Sequence, residues 1–302
     1  MQKGPPTPKG FRDIQPDLAR KHRQVLNKIA AVLEESGFVP IETPTIEFSS
    51  TLKGKYGEEE RLIYEFKDRG GRELALRYDL TVPLARYVAT YNPKLPFRRY
   101  QIGQVFRGEN PQAGRWREFT QFDFDSVGSD ALVEDAKIAA IAIKSARILG
   151  LDSAQMAVND RKVFANIHID IVRAIDKLHK VEIGVLEKEL KGKGFKDSDI
   201  EILKNIDKTI MSADVKKVFA HLEEQGLKQN RDFFFDPTLA RGLDYYTGTI
   251  LELKPSGDPA SLSIGAGGRY DNLIGIFAKK QVPAVGFSFG LDRLIESLPD
   301  ET

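Results

Sequence analysis

Phe106-Arg107-Gly108-Glu109, followed after the turn Asn110-Pro111-Gln112-Ala113-Gly114 by Arg115-Trp116-Arg117-Glu118-Phe119, sets two arginines, a carboxylate and an aromatic ring on two strands of one hairpin. The flanking residues extend those strands over 95–107 and 117–127. Guanidinium forks bind phosphate oxygens bidentately. An aromatic ring can stack on adenine, and a carboxylate can accept from an exocyclic amine. The chain has no Gly-rich Walker loop, so a triphosphate site has to be assembled from side chains in this way. The competing reading is a surface hairpin with solvated charges. Arg107 weakens it, because it ends an apolar strand (Tyr100, Ile102, Val105, Phe106) where a bare charge is costly.

With 302 residues, the chain suffices for one large domain or two modest ones. Its 29% charged and 41% hydrophobic residues place it among globular proteins. A net charge of +1 excludes a global basic field, so any nucleic-acid contact is local. The absence of cysteine excludes disulfides, thiolate zinc sites and a cysteine nucleophile. His22, His168, His179 and His221 fall at no metal-ligand spacing. The start lacks the plan of a signal peptide, and no apolar run approaches the ~20 residues of a membrane span. A cytoplasmic location is the expectation.

Around the hairpin, residues 1–16 read as an extended entry segment and 17–36 as a helix ended by Gly37. Phe38-Val39-Pro40-Ile41 reads as a short strand running to Pro44, which favours an edge or an interface. Leu62–Phe66 and Leu74–Arg77 read as a hairpin about Asp68-Arg69-Gly70-Gly71. A helix follows over 80–92. Asp130 is placed to cap a helix running to about 149, and 151–159 reads as a strand. Residues 160–228 turn Lys/Glu-rich with helical periods, a helical insertion. Strands return at Phe233–Phe235, Gly248–Leu253 and Leu262–Ile264, and a last helix follows Gly286–Gly290. Strands on both sides of one helical block argue an α+β fold with a mainly antiparallel sheet flanked by helices.

Four further constellations carry potential chemistry. Arg241-Gly242-Leu243-Asp244-Tyr245-Tyr246 offers a cation and two rings that suit a pocket wall or plain core equally. Gly265-Ala266-Gly267-Gly268-Arg269-Tyr270-Asp271 suits a plain loop better than a turn beside a ligand. Arg293 stands in the first turns of the last helix, where a cation opposes the macrodipole unless an anion or a salt bridge is present. Asp79, at a strand-to-helix junction before Thr81, can cap the helix or bind an ammonium group. Together, Arg107, Arg241 and Arg293 with Asp79 and Asp125 suit a polyphosphate and an amine. Adenylation is the simplest chemistry. A substrate carboxylate, already ionised, attacks the α-phosphorus, pyrophosphate leaves, and cations stabilise the developing charge.

These residues resemble the class II aminoacyl-tRNA synthetases, and among them the histidyl-tRNA synthetase family. Glu42-Thr43-Pro44 is similar to motif 1, Phe106–Glu109 through Arg115, Phe119 and Asp123 to motif 2, and Gly286–Arg293 to motif 3. Arg241–Tyr246 and Ala266–Asp271 resemble the two histidine-specific signatures, and Lys9–Asp13 the N-terminal one. The resemblance runs from about residue 8 to 297. It implies a class II-type catalytic domain over 1–159 and 229–302, with residues 160–228 as the insertion domain.

The resemblance also implies roles. Arg107 would bind the α-phosphate, Glu109 and Phe119 the adenine, and Arg115 with Arg293 the γ-phosphate. Arg241 would bridge the histidine carboxylate and the α-phosphate as the catalytic cation beside Arg107. Asp79, Thr81 and Gln121 would hold the α-amino group. Asp125 and Tyr246 would read the imidazole, with Tyr245, Gly267 and Tyr270 completing the pocket. Asp79 and Asp125 stand where many bacterial relatives carry glutamate, so the chain looks more like the eukaryotic subtype. ATP is the implied co-substrate and Mg²⁺ the implied cofactor, with metal ligands unassigned. The implied partners are histidine, the acceptor end of tRNA(His), which lysines 188, 191, 193, 216 and 217 could approach, and a second copy of the chain through motif 1 around Pro44.

One departure stands out. The family continues past motif 3 into an anticodon-binding domain, whereas this sequence ends at Thr302. The expectation is a shortened form or a stand-alone paralogue, with histidine activation retained. The alternative is a histidine-binding regulatory subunit of ATP phosphoribosyltransferase, which has the same core and does not need the catalytic arginines.

Overall fold

The computed structural model describes residues 4–110, 115–179, 181–240, 245–256 and 261–299. Helix α1 (Pro16–Glu35) buries Val25, Ile29, Val32 and Leu33 at helical spacing, and Gly37 ends it with φ at 82°. Strand β1 (Val39–Pro40) follows. Strands β2 (Ile46–Phe48), β3 (Glu65–Lys67) and β4 (Glu73–Leu76) form a small sheet in the order β2-β4-β3, with the one-turn helix α2 (Ser49–Leu52) after β2. Helix α3 (Thr81–Tyr91) leads to the long hairpin β5 (Phe97–Phe106) and β6 (Glu118–Val127). Then come α4 (Leu132–Ile148) and β7 (Gln155–Asp160).

The helical block carries α5 (Ile169–Ile175), α6 (Ile183–Gly192), α7 (Asp197–Ile200), α8 (Ile202–Asn205) and α9 (Ala213–Glu224). The chain closes with β8 (Phe233–Phe235), β9 (Thr249–Lys254), β10 (Gly265–Arg269), α10 (Leu273–Phe277), β11 (Ala284–Gly290) and α11 (Leu291–Glu296). The main sheet has eight strands in the order β1-β5-β6-β11-β10-β9-β7-β8. It is antiparallel except at its margins, where β1 joins β5 and β8 joins β7 in parallel. This is the mixed fold with a mainly antiparallel sheet that the sequence implies. Among the described residues, no helix is long and apolar enough to cross a membrane.

The two-residue period of β6 positions everything that follows. Phe122 and Phe124 point to one face, where Phe287, Phe289 and the inner sides of α1, α4 and α9 build the larger apolar core. Gln121, Asp123 and Asp125 therefore point to the other face, and all three are buried. A second core lies on that side, with Tyr56, Tyr78, Val82 and Tyr270 among its members.

Four local expectations are corrected. Asp130 does not cap α4. The cap position is Ala131, whose N–H is 3.3 Å from Ser129 Oγ. Gly265–Arg269 is an interior strand and not a loop, because flanking strands on both sides can approach a nearly side-chain-free backbone. The strand expected at Leu262–Ile264 starts only at Gly265. The hairpin at 62–77 is also shorter than its apolar pattern, since Gly57–Leu62 forms a 3₁₀ turn. Within the helical block, Phe164, Val172, Ile175, Leu186, Leu190 and Leu203 share a core of their own. Helix α9 instead packs Val215, Val218, Phe219 and Leu222 onto the main core.

Phe124 is fully buried and contacts the rings of Phe38, Phe287 and Phe289. Phe124→Ala should cost about 3–5 kcal/mol in chemical denaturation. A loss under 1 kcal/mol would show that this aromatic cluster does not anchor the sheet.

Candidate functional site

A cavity of about 420 Å³ opens over the face of β6, β10 and β11 opposite the larger core. Every described residue expected in the site lines it. Arg107, Glu109, Arg115 and Phe119 come from the β5–β6 hairpin, and Arg293 from α11. Asp79 and Thr81 come from the start of α3, Gln121 and Asp125 from β6, and Tyr245, Tyr246, Gly267 and Tyr270 from the β9–β10 region. Arg241, with Gly242, Leu243 and Asp244, lies outside the described residues, as does most of the hairpin turn, 111–114. Arg107 and Arg293 share the cavity.

The cationic end is built on aromatic surfaces. The Arg107 guanidinium lies 4.3 Å from the centre of the Tyr78 ring and 5.2 Å from that of Phe119. Its Nε donates to the Tyr78 carbonyl at 3.2 Å. Arg115 Nη1 is 3.5 Å from Glu109 Oε2, so two of the expected nucleotide residues face each other across the turn.

The other end is acidic. Asp79 Oδ1 accepts from Tyr56 Oη at 2.9 Å and from the N–H groups of Thr81 and Val82 at 3.2 and 3.0 Å. It thus caps α3 with one oxygen. Its Oδ2 is buried and has no hydrogen-bond partner among the described residues, which leaves an acceptor for a ligand. Gln121 donates to Ser288 Oγ at 2.8 Å, and its Oε1 has no partner among the described residues. Asp125 Oδ1 accepts from Tyr270 Oη, and Asp125 Oδ2 stands 2.7 Å from Arg99 Nη2.

The glycines make room for these acids. Gly286 lies opposite Asp125 on β11, and a Cβ there would overlap Asp125 Oδ1. A Cβ at Gly267 would overlap the Gly286 carbonyl. At these two glycines the pocket floor is therefore bare backbone.

Burial dominates the electrostatics. It raises the carboxyls of Asp79 and Asp125, in the second case against the pull of Arg99 and the Tyr270 hydroxyl. It pushes Asp123 up to about 7, opposed by Arg99 and reinforced by Asp125. Burial also holds the hydroxyls of Tyr245 and Tyr270 well above their ordinary value, so both remain donors.

Arg99 lies outside every motif, and Asp123, Arg12 and Arg269 lie inside motifs that gave them no role. Arg99 and Asp123 face the acids directly. The sequence places Arg99, Gln101 and Gly103 at alternate positions of β5, but only the register, which sets Arg99 opposite Asp125, shows what Arg99 meets. Arg12 sits 4.4 Å from the centre of the Trp116 ring and forms an ion pair with Asp292, tying the N-terminal segment to the cavity mouth. Arg269 is taken up by a buried ion pair to Asp135 on α4, a link between sheet and helix.

Asp123 generates a pH prediction. Above about pH 4 the unfolded chain ionises this aspartate, while the folded protein keeps it protonated until about pH 7. Stability is therefore lost as pH rises through that window, and the loss is constant above it. Asp123→Asn should raise unfolding free energy by ~1–3 kcal/mol at pH 8, with the gain vanishing near pH 4. A gain independent of pH would contradict the assignment.

Comparison with known proteins follows the same residues. A profile described as histidyl-tRNA synthetase matches residues 10–197 and 188–294. A protein of Aeropyrum pernix named histidine–tRNA ligase is 42% identical, over 97% of this chain and 74% of its own length. The one named cytoplasmic histidine–tRNA ligase in Dictyostelium discoideum is 40% identical, over 98% of this chain and 69% of its length. The crystal structure of histidyl-tRNA synthetase from Nostoc superposes with a TM-score of 0.82 at 30% identity, covering 98% of this chain and 75% of that one. A Bacillus halodurans structure titled ATP phosphoribosyltransferase regulatory subunit/histidyl-tRNA synthetase shares the fold at 24% identity and a TM-score of 0.78. With the profile spanning most of the sequence and the motif residues converging on one cavity, the chain belongs to the histidyl-tRNA synthetase family.

Proposed function

We propose that this protein is a histidine–tRNA ligase, which activates histidine with ATP and transfers it to tRNA(His). The observation that carries the reading is the polarity of one cavity, with buried carboxylates at one end and guanidinium groups at the other. The acids suit the ammonium and imidazole of histidine. The arginines suit a triphosphate. An α-carboxylate held between the two ends lies where it can attack.

In this reading Asp79 Oδ2, Thr81 and Gln121 hold the α-ammonium. Asp125 and Tyr246 read the imidazole, enclosed by Tyr245, Tyr270 and the bare backbone at Gly267. Arg107 binds the α-phosphate, and Arg115 with Arg293 the γ-phosphate. Phe119 and Glu109 take the adenine. Arg241 bridges the histidine carboxylate and the α-phosphate. A carboxylate oxygen forms the bond to the α-phosphorus, the bond to the bridging oxygen breaks, and pyrophosphate leaves with that electron pair. No base is required. The terminal ribose of the tRNA then accepts the histidyl group, and AMP departs. Mg²⁺ would neutralise the leaving pyrophosphate. Among the described residues no group of three or more His, Asp or Glu side chains is arranged to hold a metal ion; Mg²⁺ would enter with the triphosphate.

The helical block is proposed as the insertion domain that approaches the acceptor arm. Two of its lysines, Lys191 and Lys193, are paired with Asp197 and Asp170. A homodimer is proposed around Pro44. Phe48 and Phe66 flank Leu74 across the small sheet and are 56% and 39% exposed, an apolar row that suits a second copy. A cytoplasmic location accords with the reading and with the Dictyostelium relative's name.

The regulatory alternative predicts histidine binding without turnover, and the relatives at 40–42% identity are named as ligases. Histidine-dependent ATP–pyrophosphate exchange separates the two. Exchange is expected, falling at least ~100-fold in Arg107→Ala and in Arg241→Ala, as for loss of a charge aimed at the transition state. Histidine binding with no exchange in the native protein would favour the regulatory reading. Unchanged exchange in either variant would remove that arginine from its role.

A further inference from the structure

Arg99 has no solvent exposure and is the largest of the fully buried side chains. Its Nη2 stands 2.7 Å from Asp125 Oδ2 and donates to the Leu80 carbonyl at 3.4 Å. Its Nε and Nη1 have no hydrogen-bond acceptor among the described residues. A guanidinium so deeply buried and so sparsely bonded is a poor stabiliser of a fold, since apolar residues of similar volume often do as well or better. What it touches is informative. Asp125 is the acid at the imidazole end of the cavity. Leu80 lies between Asp79 and Thr81, at the ammonium end. One side chain, itself outside the cavity lining, thus braces both ends of the amino-acid pocket from behind.

We propose that Arg99 is a positioning residue for imidazole recognition, which holds the Asp125 carboxylate as a fixed anion and ties it to the segment carrying Asp79 and Thr81. The inference rests on the histidine reading of the cavity. Arg99 stands 2.7 Å from Oδ2 and the Tyr270 hydroxyl donates to Oδ1, and both oppose the effect of burial and favour the carboxylate form of Asp125, which can only accept. It can therefore select a ring N–H. The groups facing it are Arg99 from β5, Tyr270 after β10, Asp123 on its own strand and Asp79 before α3. Arg99 is the only cation among these named groups. Without it, Asp125 would be buried beside two other carboxyls and would take up a proton. It would then present a donor where the ring presents one too.

The test uses the full chain in histidine-dependent ATP–pyrophosphate exchange, with Arg99→Met, Arg99→Lys, Asp125→Asn and the double variant Arg99→Met/Asp125→Asn. Arg99→Met should raise the KM for histidine at least ~30-fold at pH 7, because a protonated Asp125 meets the ring N–H with a donor and loses that charge-assisted hydrogen bond. The KM for ATP should stay within about 3-fold, because the ATP end keeps all its contacts. The ratio of variant to native KM should shrink as pH rises and Asp125 ionises again. Arg99→Lys should restore the native pH profile, since the charge returns without the fork. Adding Arg99→Met to Asp125→Asn should change the histidine KM little further. If Arg99→Met fails to fold, the double variant against Asp125→Asn alone decides the matter, because that pair leaves no orphaned charge. Equal rises in both KM values, a pH-independent loss, or a double variant far weaker than Asp125→Asn would each overturn the proposal. Absence of both exchange and histidine binding in the native protein would overturn the histidine reading itself.

Discussion

Taking a carboxylate out of water without a partner costs several kcal/mol, and this fold buries Asp79, Asp123 and Asp125 around a single cavity. The neighbouring architecture answers that cost. The first turn of α3 gives Asp79 two N–H donors and Tyr56 a third. Arg99 and Tyr270 divide the two oxygens of Asp125. Asp123 has the weakest support and meets the cost by protonation, with its carboxyl pushed up to about 7. The residual negative field of the pocket is what a cationic amine would neutralise.

The acids can gather because the strand positions nearest Asp125 are glycines. Gly286 faces Asp125 and Gly267 backs onto Gly286, and any Cβ at either would occupy the volume of the carboxylate or of the neighbouring carbonyl. The antiparallel order β6-β11-β10 brings these glycines beside the acids, though about 160 residues separate Asp125 from Gly286. The apolar side of the same strands supplies the rigidity. Phe122 and Phe124 alternate with the acids, so the register that buries the rings also presents the carboxylates. Site and core are one constraint read from two faces.

Family membership was legible from short motifs, because each motif keeps its chemistry-bearing residues local: Arg107 with Glu109, Asp79 with Thr81, Tyr245 with Tyr246. The alternation in β5 and β6 and the helical spacing of α1 were equally plain. The glycine-rich run 265–269 read as a loop because glycine disfavours strands in isolation; the flanking strands and not its own propensity hold it extended. Helix α9 belongs by composition to the Lys/Glu-rich block, yet its apolar stripe packs onto the main core. Arg99 went unremarked because its meaning lies in its cross-strand partner, which pair spacing along the chain does not reveal.

The chain's order of residues was thus enough to state the fold class, the family and a set of expected site residues whose described members line one pocket, since periodicity and motif spacing are local properties. Only the folded structure decided which acids are buried, which oxygen of Asp79 is taken up in capping α3, and that one buried guanidinium links Asp125 to the Leu80 carbonyl. Burial and charge balance depend on distances between segments remote in sequence, and those distances exist only once the sheet has closed.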